Sequence, residues 1–331
     1  GLLTCEAGVT VEQMWRHVIE DGWWPPVVSG TMYPTVGGIL GMNIHGKNNL
    51  HAGPIGEHVV SFEMVTARGE TVEVRADDPS QRELFHAVIG SFGHLGLITR
   101  ATFRMKKVHS GELDVKVFVT DDLHGLFDVF EREVAASDYL VGWIDAFASG
   151  AVLGRSVIHQ ANYRALGADP APAQTLRMSH QDLPDTILGL IPKSIVWLFL
   201  RPFTNGLGMR LVNWAKWFSA KISPKKEMRQ AHAAFAFLLD YVPNWKRAYG
   251  AHGLIQYQTF LPKAAAEQAF RAQLMLCQEA SLVPLLAVFK RHRPDGFLLS
   301  HAVDGYSLAL DFKVTAQDRD KLWALTERLN R

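Results

Sequence analysis

Between Trp23 and Gly56 the sequence drops the periodicity of helices and strands and runs through glycines, prolines, histidines and short side chains. A compact domain rarely carries so long a loop-rich stretch unless the loop is ordered for a purpose, and ordered long loops are where ligands bind. Its densest part reads Ser29-Gly30-Thr31, then Thr35-Val36-Gly37-Gly38-Ile39-Leu40-Gly41, then Asn43-Ile44-His45-Gly46-Lys47-Asn48. Glycines at 30, 37, 38, 41 and 46 let backbone approach a bulky planar or phosphorylated ligand, with amides able to donate to phosphate or carbonyl oxygens. An ordinary glycine-rich connection is the alternative. His45, Lys47, His51 and His58 favour the ligand, because turns alone need neither a proton carrier nor a cation. His45, His51 and His58 lack the close pair spacing of zinc sites and have no cysteine partner, so no metal is expected.

Around this loop the pattern is regular. Thr10-Val11-Glu12-Gln13 has the form of a capping box, and Val11, Met14, Trp15 and Val18 follow at helical spacing up to Asp21-Gly22. Val59 to Ala67 and Thr71 to Val74 flank Arg68-Gly69-Glu70 as a hairpin. Ser80 caps a helix to Ile89, and Leu97, Thr99, Ala101, Phe103 and Met105 alternate on the inner face of a strand. Beyond Val108 strands are expected over Val115 to Val119, twice between Tyr139 and Ile158, and over Leu254 to Leu261, Leu285 to Lys290 and Tyr306 to Val314. Helices are expected over Asp122 to Ala136, Met228 to Tyr241, Ala264 to Ala280 and at the end. This predicts an α+β fold with one broad antiparallel sheet flanked by helices, and a boundary near Lys107-Val108-His109. The 331 residues accommodate two domains, read as 1–107 and 108–331.

Composition narrows the function classes. Lys and Arg number 34 against 33 Asp and Glu, so the bulk electrostatic footprint of a nucleic-acid binder is missing. Two cysteines, Cys5 and Cys277, are too few for a metal cluster and fit a reducing, cytoplasmic setting. No segment is a good membrane span or signal peptide. Gly90-Ser91-Phe92-Gly93-His94-Leu95-Gly96 resembles a dinucleotide fingerprint only at first sight. Its spacing is wrong, and it leads from helix to strand instead of strand to helix. A G-x-S-x-G elbow and a P-loop are both missing.

Taken together, Pro34-Thr35-Val36-Gly37-Gly38, Asn43-Ile44-His45-Gly46-Lys47-Asn48 and Ala52-Gly53 resemble the PCMH-type FAD-binding domain of the vanillyl-alcohol-oxidase superfamily. Within it, the Ile-His-Gly-Lys-Asn string is similar to the branch of decaprenylphosphoryl-ribose oxidases. Trp245 to Gly250, Gly253 to Gln258, Val288-Phe289-Lys290 and Leu308 to Phe312 continue the likeness in the same order. The resemblance implies part of an FAD domain followed by a substrate domain whose sheet covers the flavin. It implies flavin or pyrophosphate contacts from Gly30, Thr31, Thr35, Gly37, Gly38 and Gly41, and an adenine-side wall from Gly93 and Ile98. His45 is implied at the substrate face of the flavin, with Gly46 and Lys47 beside the substrate. Lys290, Gln256 and Gln258 are implied to face its sugar and phosphate, with Trp143 on the pocket wall. Ser307 and Ala309 stand where such oxidases carry an asparagine and a cysteine. The implied reaction is hydride transfer from a secondary alcohol of a polyprenyl-phosphate pentose to flavin N5, with His45 and Lys290 catalytic and a short-chain reductase partner completing an epimerisation. The resemblance also places a pyrophosphate-binding subdomain before Gly1 and a segment carrying a Tyr and a catalytic Lys after Arg331.

One segment stands apart, an insertion at about 186–226. Between Asp185 and Glu227 there is no acidic residue, yet Lys193, Arg201, Arg210, Lys216, Lys221, Lys225 and Lys226 fall there among Trp197, Trp214 and Trp217. Leu207, Leu211, Trp214, Phe218 and Ile222 recur at helical spacing, the pattern of a helix lying in a lipid interface, so peripheral membrane contact is expected. The alternatives are an aldonolactone-oxidase-like or sterol-reductase-like flavoenzyme, or a non-catalytic membrane-surface protein on the same fold.

Overall fold

A computed structural model describes residues 1–187, 191–242 and 244–331. Strand β1 (Leu2–Glu6) leads into α1 (Val11–Val18), which opens with the expected capping box: Thr10 Oγ1 accepts from Gln13 N, and Gln13 Oε1 accepts from Thr10 N. The stretch expected to be all loop contains a short helix, α2 (Val36–Gly41). Its glycines disguise it, but Thr35 caps it and Val36, Ile39 and Leu40 bury one face at helical spacing. The expected hairpin forms as β2 (Val59–Val65) and β3 (Thr71–Arg75). Helix α3 (Arg82–Val88) follows a tight turn capped by Asp78, not Ser80. Strand β4 (Leu97–Arg104) completes a four-stranded antiparallel sheet in the order β1-β4-β2-β3. Ala101 and Phe103 of β4 are buried as expected, whereas Leu97 is 70% exposed at its start.

The second sheet begins at β5 (Glu112–Thr120), followed by α4 (Leu123–Glu133), β6 (Tyr139–Ile144) and β7 (Ser156–Tyr163). The basic segment supplies a helix of 17 residues, α5 (Gly206–Ile222), while 188–190 of the insertion lie outside the described residues. The helix expected from Met228 is a strand at first, β8 (Glu227–Ala231), because its backbone pairs with the free edge of β5; helix α6 (His232–Ala236) comes only afterwards. Then come β9 (Leu254–Pro262), α7 (Lys263–Glu279), β10 (Leu286–His292), β11 (Gly305–Lys313) and α8 (Arg319–Leu329). Seven strands form one antiparallel sheet in the order β8-β5-β7-β6-β10-β11-β9. The fold is thus α+β with a broad antiparallel sheet.

Strand alternation divides that sheet into two faces. Ala287, Phe289, Leu308 and Leu310 point into a core closed by α4, α7 and α8 through Phe130, Phe270, Leu274 and Leu325. Trp143, Val288, Lys290, His292, Ser307, Gln256 and Gln258 fall on the other face by register. Part of the second half also enters the first core: Ala233, Ala236, Phe237 and Phe297 pack with Trp15, Trp24 and Phe62.

Candidate active site

Two neighbourhoods emerge. The first is a cleft of about 300 Å³ in the first domain, lined by Gly37, Gly38, Gly41, Gly93 and Ile98 together with Ser91 and Phe92. Gly93 has φ +80°, which a side chain would resist, and nothing stands where its Cβ would project. The hydroxyl of Ser91 is buried there without a hydrogen-bond partner among the described residues. Bare glycine walls, apolar lining and an orphaned hydroxyl fit the adenosine end of FAD. The amides at the start of α2 are already used: Val36 N donates to Val9 O, Gly37 N to Ala7 O and Gly38 N to Thr35 Oγ1. Gly30, Thr31 and Thr35 lie outside the cleft lining. Thr31 Oγ1 and Met32 N both donate to Asp240 of the second domain, at 2.7 and 2.8 Å.

The second neighbourhood is where the His45 loop meets β9, β10 and β11. Across β10 and β11, Lys290 faces Ser307; across β9 and β11, Gln258 faces Ala309. His292, fully buried, donates from Nδ1 to Asn49 Oδ1 at 3.0 Å, leaving Nε2 to accept from Ser307 Oγ at 2.7 Å. Ser307 Oγ accepts in turn from Gln258 Nε2 at 3.1 Å, and that amide lies 3.5 Å from His45 Nε2. On its other side His45 Nδ1 is 3.0 Å from His301 Nε2, on an exposed loop. One hydrogen-bonded chain therefore runs from Asn49 through His292, Ser307, Gln258 and His45 to His301.

Electrostatics here have one sign. Burial, then the Lys290, His292 and His301 charges, push His45 well below the usual histidine range, so it is neutral near pH 7. Burial lowers Lys290 to about 8, and burial with Lys290 brings Lys47 to about 7. Lys47 donates to the carbonyls of Phe235 and Ala236 at 2.5 and 2.8 Å, so its side chain ties the glycine-rich loop to helix α6. Gln256 donates to Asp311, one strand position away from the rest. Gly46 is buried against Val28 and Asn48, and an added Cβ would come within 2.4 Å of Asn48 Oδ1. Trp143 lies under the Lys216 ammonium, 4.3 Å from its ring centre.

The sequence alone does not single out Asn49, Ser91, His159, Asp240, His292 or His301, and it offers Lys216 only as one cation of the lipid-facing segment. His292 was within reach, since it stands two residues past Lys290 on the same strand face. His301 and Asp240 become neighbours only through the fold.

Comparison with known proteins agrees with the geometry. Residues 1–75 match the FAD binding domain family. Over 325 residues, 95% of this chain, it is 30% identical to decaprenylphosphoryl-beta-D-ribose oxidase of Mycolicibacterium smegmatis and covers 66% of that protein. It is 29% identical to D-arabinono-1,4-lactone oxidase of Eremothecium gossypii over 61% of the chain and 35% of that protein. With cytokinin dehydrogenase 5 of Arabidopsis thaliana it shares 30% identity over 40% of the chain and 27% of that protein. The chain thus spans from about a quarter to just under two thirds of these curated relatives. With its matched FAD binding domain and a relative similar along 95% of its length, the chain carries a PCMH-type FAD-binding domain like that of the FAD-linked oxidases.

Proposed function

We propose that this chain oxidises a secondary hydroxyl of a sugar carried on a polyprenyl phosphate, as an FAD-dependent oxidoreductase. The observation that carries the reading is the hydrogen-bonded chain from Asn49 to His301, which spans both domains and presents a neutral imidazole beside Lys290. FAD, when bound, supplies the hydride acceptor. The protein supplies orientation and a proton path. His45 accepts the hydroxyl proton at Nε2 and releases one from Nδ1 to His301, whose ring meets solvent. Gln258, held by Ser307 and His292, orients the hydroxyl, and the Lys290 ammonium polarises it. A short-chain reductase acting on the ketone product would complete an epimerisation.

The similarity to a lactone oxidase supports a second reading, an aldonolactone substrate. Cations beside the site favour the first, because a lactone is neutral and a polyprenyl phosphate ester is an anion. Peripheral membrane contact through α5 belongs to the same reading, since a polyprenyl substrate resides in a bilayer; no described helix is long and apolar enough to cross one. Anaerobic titration of the FAD-loaded protein tests the assignment. Flavin absorbance should bleach with a polyprenyl-phosphate pentose and persist with aldonolactones; bleaching by the lactone alone would install the second reading.

A further inference from the structure

Beyond His45 and Lys290, a second group of basic side chains, a lysine and a neutral imidazole, lines the same sheet face. His159 of β7 lies opposite Val141 of β6, while Trp143, two residues on, lies opposite Val157. Strand alternation therefore sets His159 and Trp143 side by side on the face that carries Lys290. Helix α5 crosses this face. Asn213 and Trp217 are buried beneath it, Trp217 donating from Nε1 to Thr120 O at 2.9 Å. Lys216, one residue before Trp217, is exposed to solvent along its length, yet its ammonium reaches over the Trp143 ring, 4.3 Å from the ring centre.

These basic side chains have no carboxylate. Among the described residues, the side chains of Lys216, Lys290 and His159 make neither a hydrogen bond nor an ion pair, and Lys47 meets only carbonyls and the Phe235 ring. Proximity is nevertheless real: the Lys216 and Lys47 charges help hold His159 down at about 4, after burial, and burial alone lowers Lys216 to about 8. Asp145, just past the end of β6, is taken by Arg155, and Asp311 by Gln256. Lysines gathered on one sheet face with no carboxylate among them repel one another unless an anion completes them.

We infer that Lys216 and His159, with Lys47 and Lys290 at the margin, form a subsite for the phosphate ester group of the substrate, with helix α5 as its lid. The inference rests on the proposed function and adds to it: one side of α5 grips the phosphate, while the other bears the exposed apolar stripe.

Calorimetric titration of the full chain with inorganic phosphate and with farnesyl phosphate tests the subsite without catalysis. Both ligands should bind, farnesyl phosphate more tightly. Lys216→Met should weaken farnesyl phosphate by about tenfold, as loss of an ammonium donor to a phosphate predicts, and His159→Leu, which removes a neutral imidazole donor, by about threefold. Lys216→Arg should restore most of the affinity, and Lys225→Met, at an exposed lysine of the same segment, should change nothing. Equal affinity in the parent and Lys216→Met would overturn the subsite. So would a loss on Lys216→Met confined to phosphatidylglycerol vesicles, which would make Lys216 a headgroup contact. If farnesyl phosphate binds as expected but no polyprenyl-phosphate sugar bleaches the flavin, the subsite stands and the proposed reaction falls. If such a sugar bleaches the flavin at an unchanged KM in Lys216→Met, the reaction stands and the subsite falls.

Discussion

Single residues show how much of this protein depends on keeping imidazoles neutral. His232 is 1% exposed, stacks on Trp24 with ring centres 5.1 Å apart, and donates from Nε2 to Ser110 O at 2.9 Å. Its Nδ1 is buried without a partner among the described residues, so a proton there would find no acceptor. Burial lowers it from 6.5 to about 4. The folded state therefore binds this proton less readily than the unfolded state between pH 6.5 and 4, and stability falls as pH drops through that window. The slope from His232 alone approaches about 1.4 kcal/mol per pH unit in mid-window. His292, held well below the usual histidine range by burial and then by the Lys290, His301 and Arg291 charges, adds a contribution of the same sign. Urea midpoints measured from about pH 7.5 to about pH 4.5 should fall, and His232→Asn should flatten the curve. An unchanged slope in that variant would remove His232 from the account.

At the scale of elements, α5 is the piece whose two sides differ most. Asn205 caps it by accepting from Gly208 N, and Trp217 anchors it to the sheet. Leu207, Leu211, Trp214, Phe218 and Ile222 remain exposed, with Trp214 and Phe218 stacked 5.1 Å apart. Replacing Trp214 and Phe218 with Ser should abolish co-sedimentation with anionic vesicles while shifting the urea midpoint little, because neither side chain is in the core. Trp217→Ala should instead destabilise by about 3–5 kcal/mol, read in the same unfolding curves. Retained vesicle binding in the double Ser variant would exclude this stripe as the membrane contact. Elements of this kind were legible because caps and periodicity are local: Thr10 with Gln13, the apolar spacing of α5 and the β2–β3 hairpin are written in neighbouring residues. Strand β8 was not, since Met228 to Ala231 is extended only because the edge of β5 lies beside it. Helix α2 hid because glycine masks a helical period. The site divides the same way. The glycine and His45 loop could be read along the chain, whereas Asp240, His301 and the Lys216–Trp143 contact exist only once distant segments meet.

Across the whole molecule, the two sheets are joined by more than a covalent link. Asp240 accepts from Thr31 and Met32 in the glycine-rich loop, Lys47 reaches the carbonyls of Phe235 and Ala236, and Arg293 pairs with Glu57 through both nitrogens. The ion pair is half-exposed and worth little alone. Phe237 carries more weight: fully buried, it lies in the core of the first domain although it follows the second sheet's strand β8, with its ring 6.1 Å from Trp24. Removing it opens a cavity in a core built mostly from residues before Val108, at a cost of about 3–5 kcal/mol. If the halves unfold as one cooperative unit, Phe237→Ala should speed amide exchange in β2 and β4 as much as in β10 and β11, and unfolding should keep a single transition. If they were independent, the variant would loosen β2 and β4 alone and split the transition in two. The shared core argues for the first outcome. The glycine-rich loop would then keep its shape only while the second sheet is folded, which makes the integrity of the two neighbourhoods one property of the chain.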